Sequence, residues 1–74
     1  MDDTSKIDFM AINFVASNGQ DSIGMIDTEE KFAAALVYAS LEQRGLLSAE
    51  RTEGGPIYRV TDAGRLISAA WGNA

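Results

Sequence analysis

The 74-residue sequence contains no cysteine, no histidine and a single proline. Without cysteine, no disulfide can reinforce a small core, and without cysteine or histidine a zinc site is not expected. No apolar run approaches the roughly 20 residues that a membrane-spanning helix needs. The first residues, Met1-Asp2-Asp3, are acidic, where a secretory signal would be basic. We therefore predict a cytoplasmic protein without a metal and without a membrane contact.

The side chains that enzymes use for acid–base or nucleophilic chemistry are few in this sequence. Serine, threonine and lysine occur, but there is no histidine or cysteine, and no evident base to activate them. The neighbouring carboxylates of Glu29-Glu30 point in different directions, as do those of Asp2-Asp3. Gly54-Gly55 does not precede a helix, so it is not a phosphate-binding loop. We predict a protein that is not an enzyme and uses no cofactor.

Positive charge is also scarce, and it is unevenly distributed. The net charge is −5. Residues 1–30 hold seven acids and one base, whereas residues 31–74 hold four acids and five bases. Nucleic-acid binders usually present a basic patch that neutralises phosphates. An acidic half opposes the approach of DNA and suits a basic protein surface better.

The length predicts a single domain over residues 1–74. A core of this size rarely supplies more than about 3–5 kcal/mol of net stability. Disulfides, metals and association are the usual means of reinforcement, and the composition leaves association as the one that we favour. We therefore predict a protein that binds a protein partner or itself, most simply as a homodimer.

Capping residues and apolar periodicity predict a mainly α-helical α+β domain with a β-hairpin. The predicted order is a helix from Thr4 or Ser5 to about Ser17, a long helix from Thr28 to Arg44, a hairpin over residues 46–61, and a helix from Asp62 to about Trp71. A minor strand is possible near residues 22–26. The predicted core contains Ile7, Met10, Phe14, Phe32, Leu36, Leu41, Leu47, Tyr58, Val60, Leu66 and Ile67.

The first helix carries two apolar stripes, separated by Asp8 and Asn13. The main stripe consists of Ile7, Met10, Ala11, Phe14 and Val15, at the spacing of one helix face, and we expect it to be buried. The second stripe consists of Phe9, Ile12 and Ala16. It is either buried against another part of the same chain or exposed as a subunit or partner surface.

The segment from Leu41 to Arg65 resembles the wing and flanking helices of the winged helix-turn-helix superfamily. It reads Leu-Glu-Gln-Arg-Gly-Leu-Leu, then a polar Gly-Gly hairpin tip, then Tyr-Arg-Val-Thr-Asp-Ala-Gly-Arg. The resemblance implies a winged-helix-like fold. The chain departs from the family pattern because residues 28–44 predict one continuous helix in place of a helix-turn-helix. The supporting helix would have to lie within residues 20–27 or be missing.

Two functions follow from these observations. The favoured one is a small regulatory or interaction protein that binds a protein, as small acidic regulators and inhibitors of phages and mobile elements do. The predicted partner or dimer interface consists of Phe9, Ile12, Ala16 and Trp71. The alternative is a DNA-binding transcriptional regulator. Its predicted nucleic-acid contacts are Lys31, Tyr38, Arg44, Arg51, Arg59 and Arg65.

Overall fold

Three helices and one antiparallel sheet make up the fold, as seen in a computed structural model that describes residues 5–72 and the side chains of residues 5–70. The elements are α1 (Lys6–Asn18), β1 (Asp21–Ser22), α2 (Glu29–Gln43), β2 (Leu47–Thr52), β3 (Gly55–Val60) and α3 (Asp62–Gly72). This is the predicted α+β class with mainly helical content, and the layout is consistent with a winged-helix-like domain.

The first two helices begin where the capping residues predicted. The Ser5 hydroxyl accepts a hydrogen bond from the Asp8 N–H at 3.1 Å, and the Asp8 carboxylate accepts one from the Ser5 N–H at 3.2 Å. These two bonds form a capping box. Thr28 caps α2, because its hydroxyl accepts a hydrogen bond from the Lys31 N–H at 3.1 Å.

The end of α2 turns the chain sharply into the hairpin. Gly45 adopts φ of 79°, which a residue without a Cβ adopts at little cost. The Leu46 N–H donates to the Leu41 carbonyl at 2.9 Å, and the Gly45 N–H donates to the Glu42 carbonyl at 3.0 Å. This pair of bonds is a Schellman motif. It places Leu46 and Leu47 directly against the core.

The sheet has the strand order β1-β3-β2. Leu47 pairs with Val60 and Ala49 pairs with Tyr58 across the hairpin, so all four side chains share the face of the sheet that packs in the core. The minor strand lies at Asp21–Ser22, overlaps its predicted range only at Ser22, and pairs with β3. Residues 23–28 contain no helix, so the chain has a single helix where a helix-turn-helix has two.

Thr61 links the beginning of α3 to the end of α2. Its hydroxyl donates to the Gly45 carbonyl at 2.6 Å and accepts a hydrogen bond from the Gly64 N–H at 3.1 Å. Its own N–H donates to the Leu46 carbonyl at 3.2 Å. One residue therefore caps α3 and fixes that helix against the chain that leaves α2.

The core lies between α1, α2 and the inner face of the sheet, and it only partly matches the prediction. Its buried members are Ile12, Val15, Tyr38, Leu41, Leu46, Leu47, Tyr58 and Val60. Burial is confirmed for Leu41, Leu47, Tyr58 and Val60, and Ile67 packs against the cluster. The prediction was wrong for Ile7, Met10, Phe14, Phe32, Leu36 and Leu66, each of which is more than half exposed.

The rotation of α1 explains why Ile7, Met10 and Phe14 of its main stripe are exposed, whereas the predicted burial of Val15 is confirmed and Ala11 packs against the core. Asp8 forms an ion pair with Arg44 at 2.9 Å, and Asn13 accepts a hydrogen bond from the Ser68 hydroxyl. Both polar residues that separate the two stripes therefore face the protein. The helix face between them is the buried one, and it carries Ile12 and Val15.

The Asp8–Arg44 pair predicts a loss of stability in acid. Burial raises the pKa of Asp8, but the hydrogen bonds and charge of Arg44 and the hydrogen bonds from Ser5 outweigh it, so the pKa lies below its ordinary value of 3.8. A carboxylate with a lowered folded-state pKa contributes stability above its unfolded pKa, and that contribution is lost as pH falls through the folded value. We expect the melting temperature of Asp8→Asn to depend less on pH below about pH 4 than that of the native chain. Equal pH dependence in thermal melts between pH 2 and pH 6 would contradict this assignment.

Candidate interaction surface

Five exposed apolar side chains lie on α1 and α2, and we call this set the α1–α2 face. It consists of Ile7, Met10 and Phe14 on α1 and of Phe32 and Leu36 on α2. These five side chains are between 55% and 63% exposed. Ile7, Met10 and Phe14 follow the i, i+3, i+7 spacing of one helix face, and Phe32 and Leu36 follow the i, i+4 spacing. Large apolar side chains are therefore exposed to solvent on two helices that pack against each other.

A groove of about 310 Å³ runs between the two helices beside Ile7, Met10 and Phe14, and neither Phe32 nor Leu36 lines it. Its α1 wall is formed by Ile7, Met10, Ala11 and Phe14, and its α2 wall by Ala33, Ala34, Val37 and Tyr38. Alanine side chains on α2 leave space that larger residues would fill. The groove is therefore able to receive apolar side chains from another surface.

The basic side chains predicted to contact nucleic acid are engaged with carboxylates of the same chain. Five ion pairs with N–O distances of 2.9–3.0 Å hold them: Lys31–Asp27, Arg44–Asp8, Arg51–Glu42, Arg59–Glu50 and Arg65–Asp62. Arg59 also donates a hydrogen bond to Gln20 at 3.0 Å. Each of these five positive charges is accompanied by a negative one. The described surface therefore has no patch formed by unpaired arginines.

Tyr38 does not lie on an outer strip of α2, so its predicted role as a nucleic-acid contact is wrong. It is 5% exposed, and its ring meets that of Tyr58 edge-on with 4.9 Å between the centroids. Its hydroxyl donates to the Asp21 carboxylate at 2.7 Å. Burial raises the pKa of Tyr38, and the hydrogen bond to Asp21 raises it further, so the phenol stays protonated. This bond ties α2 to β1.

The residues predicted for a partner interface are separated by the structure. Ile12 is fully buried in the core of its own chain, so it is not available to a partner. Phe9 is half-buried and Ala16 is exposed. The side chain of Trp71 lies outside the described residues. Exposed apolar side chains are present on α1, but they are Ile7, Met10 and Phe14 of the main stripe, which the sequence placed in the core.

Other uncovered apolar side chains lie apart from the α1–α2 face. Met25 and Ile26 are exposed in the segment between β1 and α2, and Leu66 is exposed on α3. Among residues 5–70, no three acidic side chains are grouped as a metal site would require. None of the three helices within residues 5–72 has both the length and the apolar character needed to cross a membrane.

No family model, no curated protein and no solved structure matches this chain.

Proposed function

We propose that this chain is a small, non-enzymatic, winged-helix-like interaction protein of the cytoplasm, which acts by binding a protein through the α1–α2 face. The observation that carries the proposal is the exposure of five large apolar side chains on two adjacent helices. A regulatory or inhibitory role, as in small phage or mobile-element proteins, is consistent with such a binding surface.

The size of the face supports a binding role. Large apolar side chains have surfaces of roughly 150–250 Å², so five of them at these exposures present about 500 Å² of uncovered apolar area. Patches of this size on monomeric proteins often serve a function. Exposed apolar area is also unfavourable in water, which favours a surface that covers it. The proposed partner therefore presents apolar side chains to the groove between α1 and α2.

The DNA-binding alternative is less favoured because of its electrostatics. Phosphate binding by Arg51 or Arg59 would compete with their ion pairs to Glu42 and Glu50. The acidic residues of the N-terminal half add a long-range repulsion. We expect weak or undetectable binding to duplex DNA at physiological salt. Sequence-selective DNA binding that is lost in Arg51→Ala or Arg59→Ala would favour the DNA-binding function over the protein-binding one.

A matched pair of leucine substitutions tests the proposed surface. Leu36→Glu places a charge in the α1–α2 face, whereas Leu66→Glu places the same charge on α3, where the leucine is 73% exposed. The chain would be immobilised and exposed to an extract that also contains its own untagged form. We expect Leu36→Glu to lower the amount of bound protein at least about tenfold, because a buried charge is costly.

Leu66→Glu serves as the control and is expected to retain native binding. Circular dichroism establishes that both variants keep the native helix content, so that a loss of binding is not a loss of fold. If the two variants bind equally, whether both strongly or both weakly, the α1–α2 face is not the binding surface.

A further inference from the structure

We propose that the occupant of the α1–α2 face is a second copy of this chain, related to the first by a two-fold axis that lies in the contact plane and runs across the helices. This inference rests on the proposed function, because it names the protein that the face binds. It follows from three features of the face: the spacing of its side chains, its area and the placement of its charges.

The spacing of the apolar residues along α1 suits antiparallel packing against the same helix of a second copy. A two-fold axis near the middle of α1, between Met10 and Ala11, sets Ile7 of one copy against Phe14 of the other. It also sets Met10 of each copy against Ala11 of the other, so that a long side chain meets a short one. Ridges of one helix then fit the grooves of the next, as close packing between helices requires. Each Phe14 ring therefore meets an Ile7 side chain and not the Phe14 ring of the other copy.

The area is sufficient for a specific dimer. With about 500 Å² of apolar surface from each copy, the contact buries on the order of 1,000 Å² in total, the lower range for a biological interface. A 74-residue domain buries a smaller fraction of its surface than larger proteins do, so further burial by association would add to its stability. Covering the face adds apolar burial that the monomer core lacks.

The charges at the two ends of the face are complementary under the same axis. Lys6 is the first residue of α1, and the Asp8–Arg44 pair joins this beginning of α1 to the end of α2. Glu29 lies at the other end of α2, about 20 Å along the helix from Arg44. Within residues 5–70, neither Lys6 nor Glu29 forms an ion pair, although the other five cations of this region do.

Lys6 and Glu29 each share a helix face with the apolar residues. Lys6 is four residues before Met10, and Glu29 is seven residues before Leu36, so each flanks the exposed stripe of its helix. The two-fold axis exchanges the ends of the helices. It therefore brings Lys6 of each copy towards Glu29 of the other and forms the same ion pair twice.

Sedimentation velocity over a concentration series measures the association directly. The native chain is expected to sediment at twice the 7.9 kDa of one chain at high micromolar concentration and to dissociate on dilution. Phe14→Glu and Leu36→Glu are expected to raise the dissociation constant at least about 30-fold, as loss of a central apolar contact does. Leu66→Glu is expected to leave it within about threefold.

A charge exchange tests the arrangement of the two copies. Lys6→Glu and Glu29→Lys are each expected to raise the dissociation constant about 3–10-fold, because each breaks two pairs in the dimer. The double variant K6E/E29K restores both pairs in reverse and is expected to return the constant to within about twofold of native. Arg65→Glu and Glu53→Lys, which match the two changes in net charge, control for general electrostatic effects.

The outcomes separate this inference from the proposed function. A chain that stays monomeric at high micromolar concentration overturns the dimer. If the native chain is monomeric but captures a different protein from the extract, and Leu36→Glu does not capture it, the face binds another protein and not a second copy of this chain. If the native chain is monomeric and Leu36→Glu captures the same proteins as the native chain, both proposals fail. A dimer that dissociates in Phe14→Glu, but is not restored by the charge exchange, overturns the two-fold arrangement.

Discussion

Replacement of Leu41 by alanine is expected to lower the free energy of unfolding by about 2–5 kcal/mol. Leu41 is fully buried, and its carbonyl also accepts the hydrogen bond that ends α2. The substitution leaves a cavity where α2 meets β2, and the surrounding elements can collapse only partly. The free energy of unfolding of a domain of this size is only about 3–5 kcal/mol, so most of the variant should be unfolded at 37 °C.

Leu36→Ala is the matched control for this prediction, since it removes the same atoms from the same helix. Leu36 is 58% exposed, so its removal from the monomer is expected to cost less than about 1 kcal/mol. Urea denaturation at low micromolar concentration, followed by circular dichroism, compares the two variants. If both variants lose the same free energy of unfolding, or Leu36→Ala loses more, then α2 buries the side that carries Leu36.

Gly64→Ala is expected to destabilise the chain by on the order of 3 kcal/mol, although alanine is the better helix former. Gly64 lies in the first turn of α3, directly over the chain that links α2 to β2. A Cβ at this position would overlap the carbonyl oxygen of Leu46 and would lie 2.8 Å from Cγ1 of Val60. The helix can relieve this overlap only by moving away from Thr61, which caps it.

Gly24→Ala provides the comparison for Gly64. A Cβ there has no heavy atom within 4 Å, and Gly24 does not have a positive φ. Its replacement is expected to be neutral or to stabilise the chain by about 0.4–1 kcal/mol, because alanine restricts the unfolded chain. Thermal and urea unfolding measure both variants. A Gly64→Ala variant as stable as Gly24→Ala would mean that α3 is not packed this closely.

The boundaries of the elements were largely predictable, because local interactions set them. Ser5 and Thr28 bind the backbone of their own helices, and Gly45 adopts a conformation that most other residues avoid. These signals require only neighbouring residues. The register of the hairpin was predictable for a similar reason, since apolar alternation and a short glycine turn leave few pairings.

The choice of which helix faces would be buried was not predictable from periodicity alone. On α2, apolar residues surround the helix almost completely, so the pattern gives no preference for Leu41 over Leu36. Leu41 is the buried one because the hairpin packs against its side of α2. On α1, Ile7, Met10 and Phe14 of the main stripe remained exposed because Asp8 and Asn13 each have a polar partner in another element. Such partners lie 36 and 55 residues away in the sequence, beyond the reach of a local pattern.

The candidate site was predicted in kind but not in position. An uncovered apolar surface on α1 was expected, yet the residues assigned to it included the buried Ile12. Tyr38 was expected to be accessible to nucleic acid, whereas its side chain is buried. Its hydroxyl donates a hydrogen bond to Asp21, which is 17 residues away in the sequence. Two equally apolar stripes on one helix were the signal that one of them would remain uncovered.

The outer edge of β2 has a further consequence, for the kind of assembly this chain can form. Among the described strands, only β3 pairs with β2, so the opposite edge of β2 has no strand beside it. Glu50 and Arg51 are charged and exposed along this strand, and charged edge residues disfavour pairing with another sheet. The sheet is thereby protected from edge-to-edge growth into open-ended fibres. Contacts through the helices, if two-fold, close on themselves after two copies.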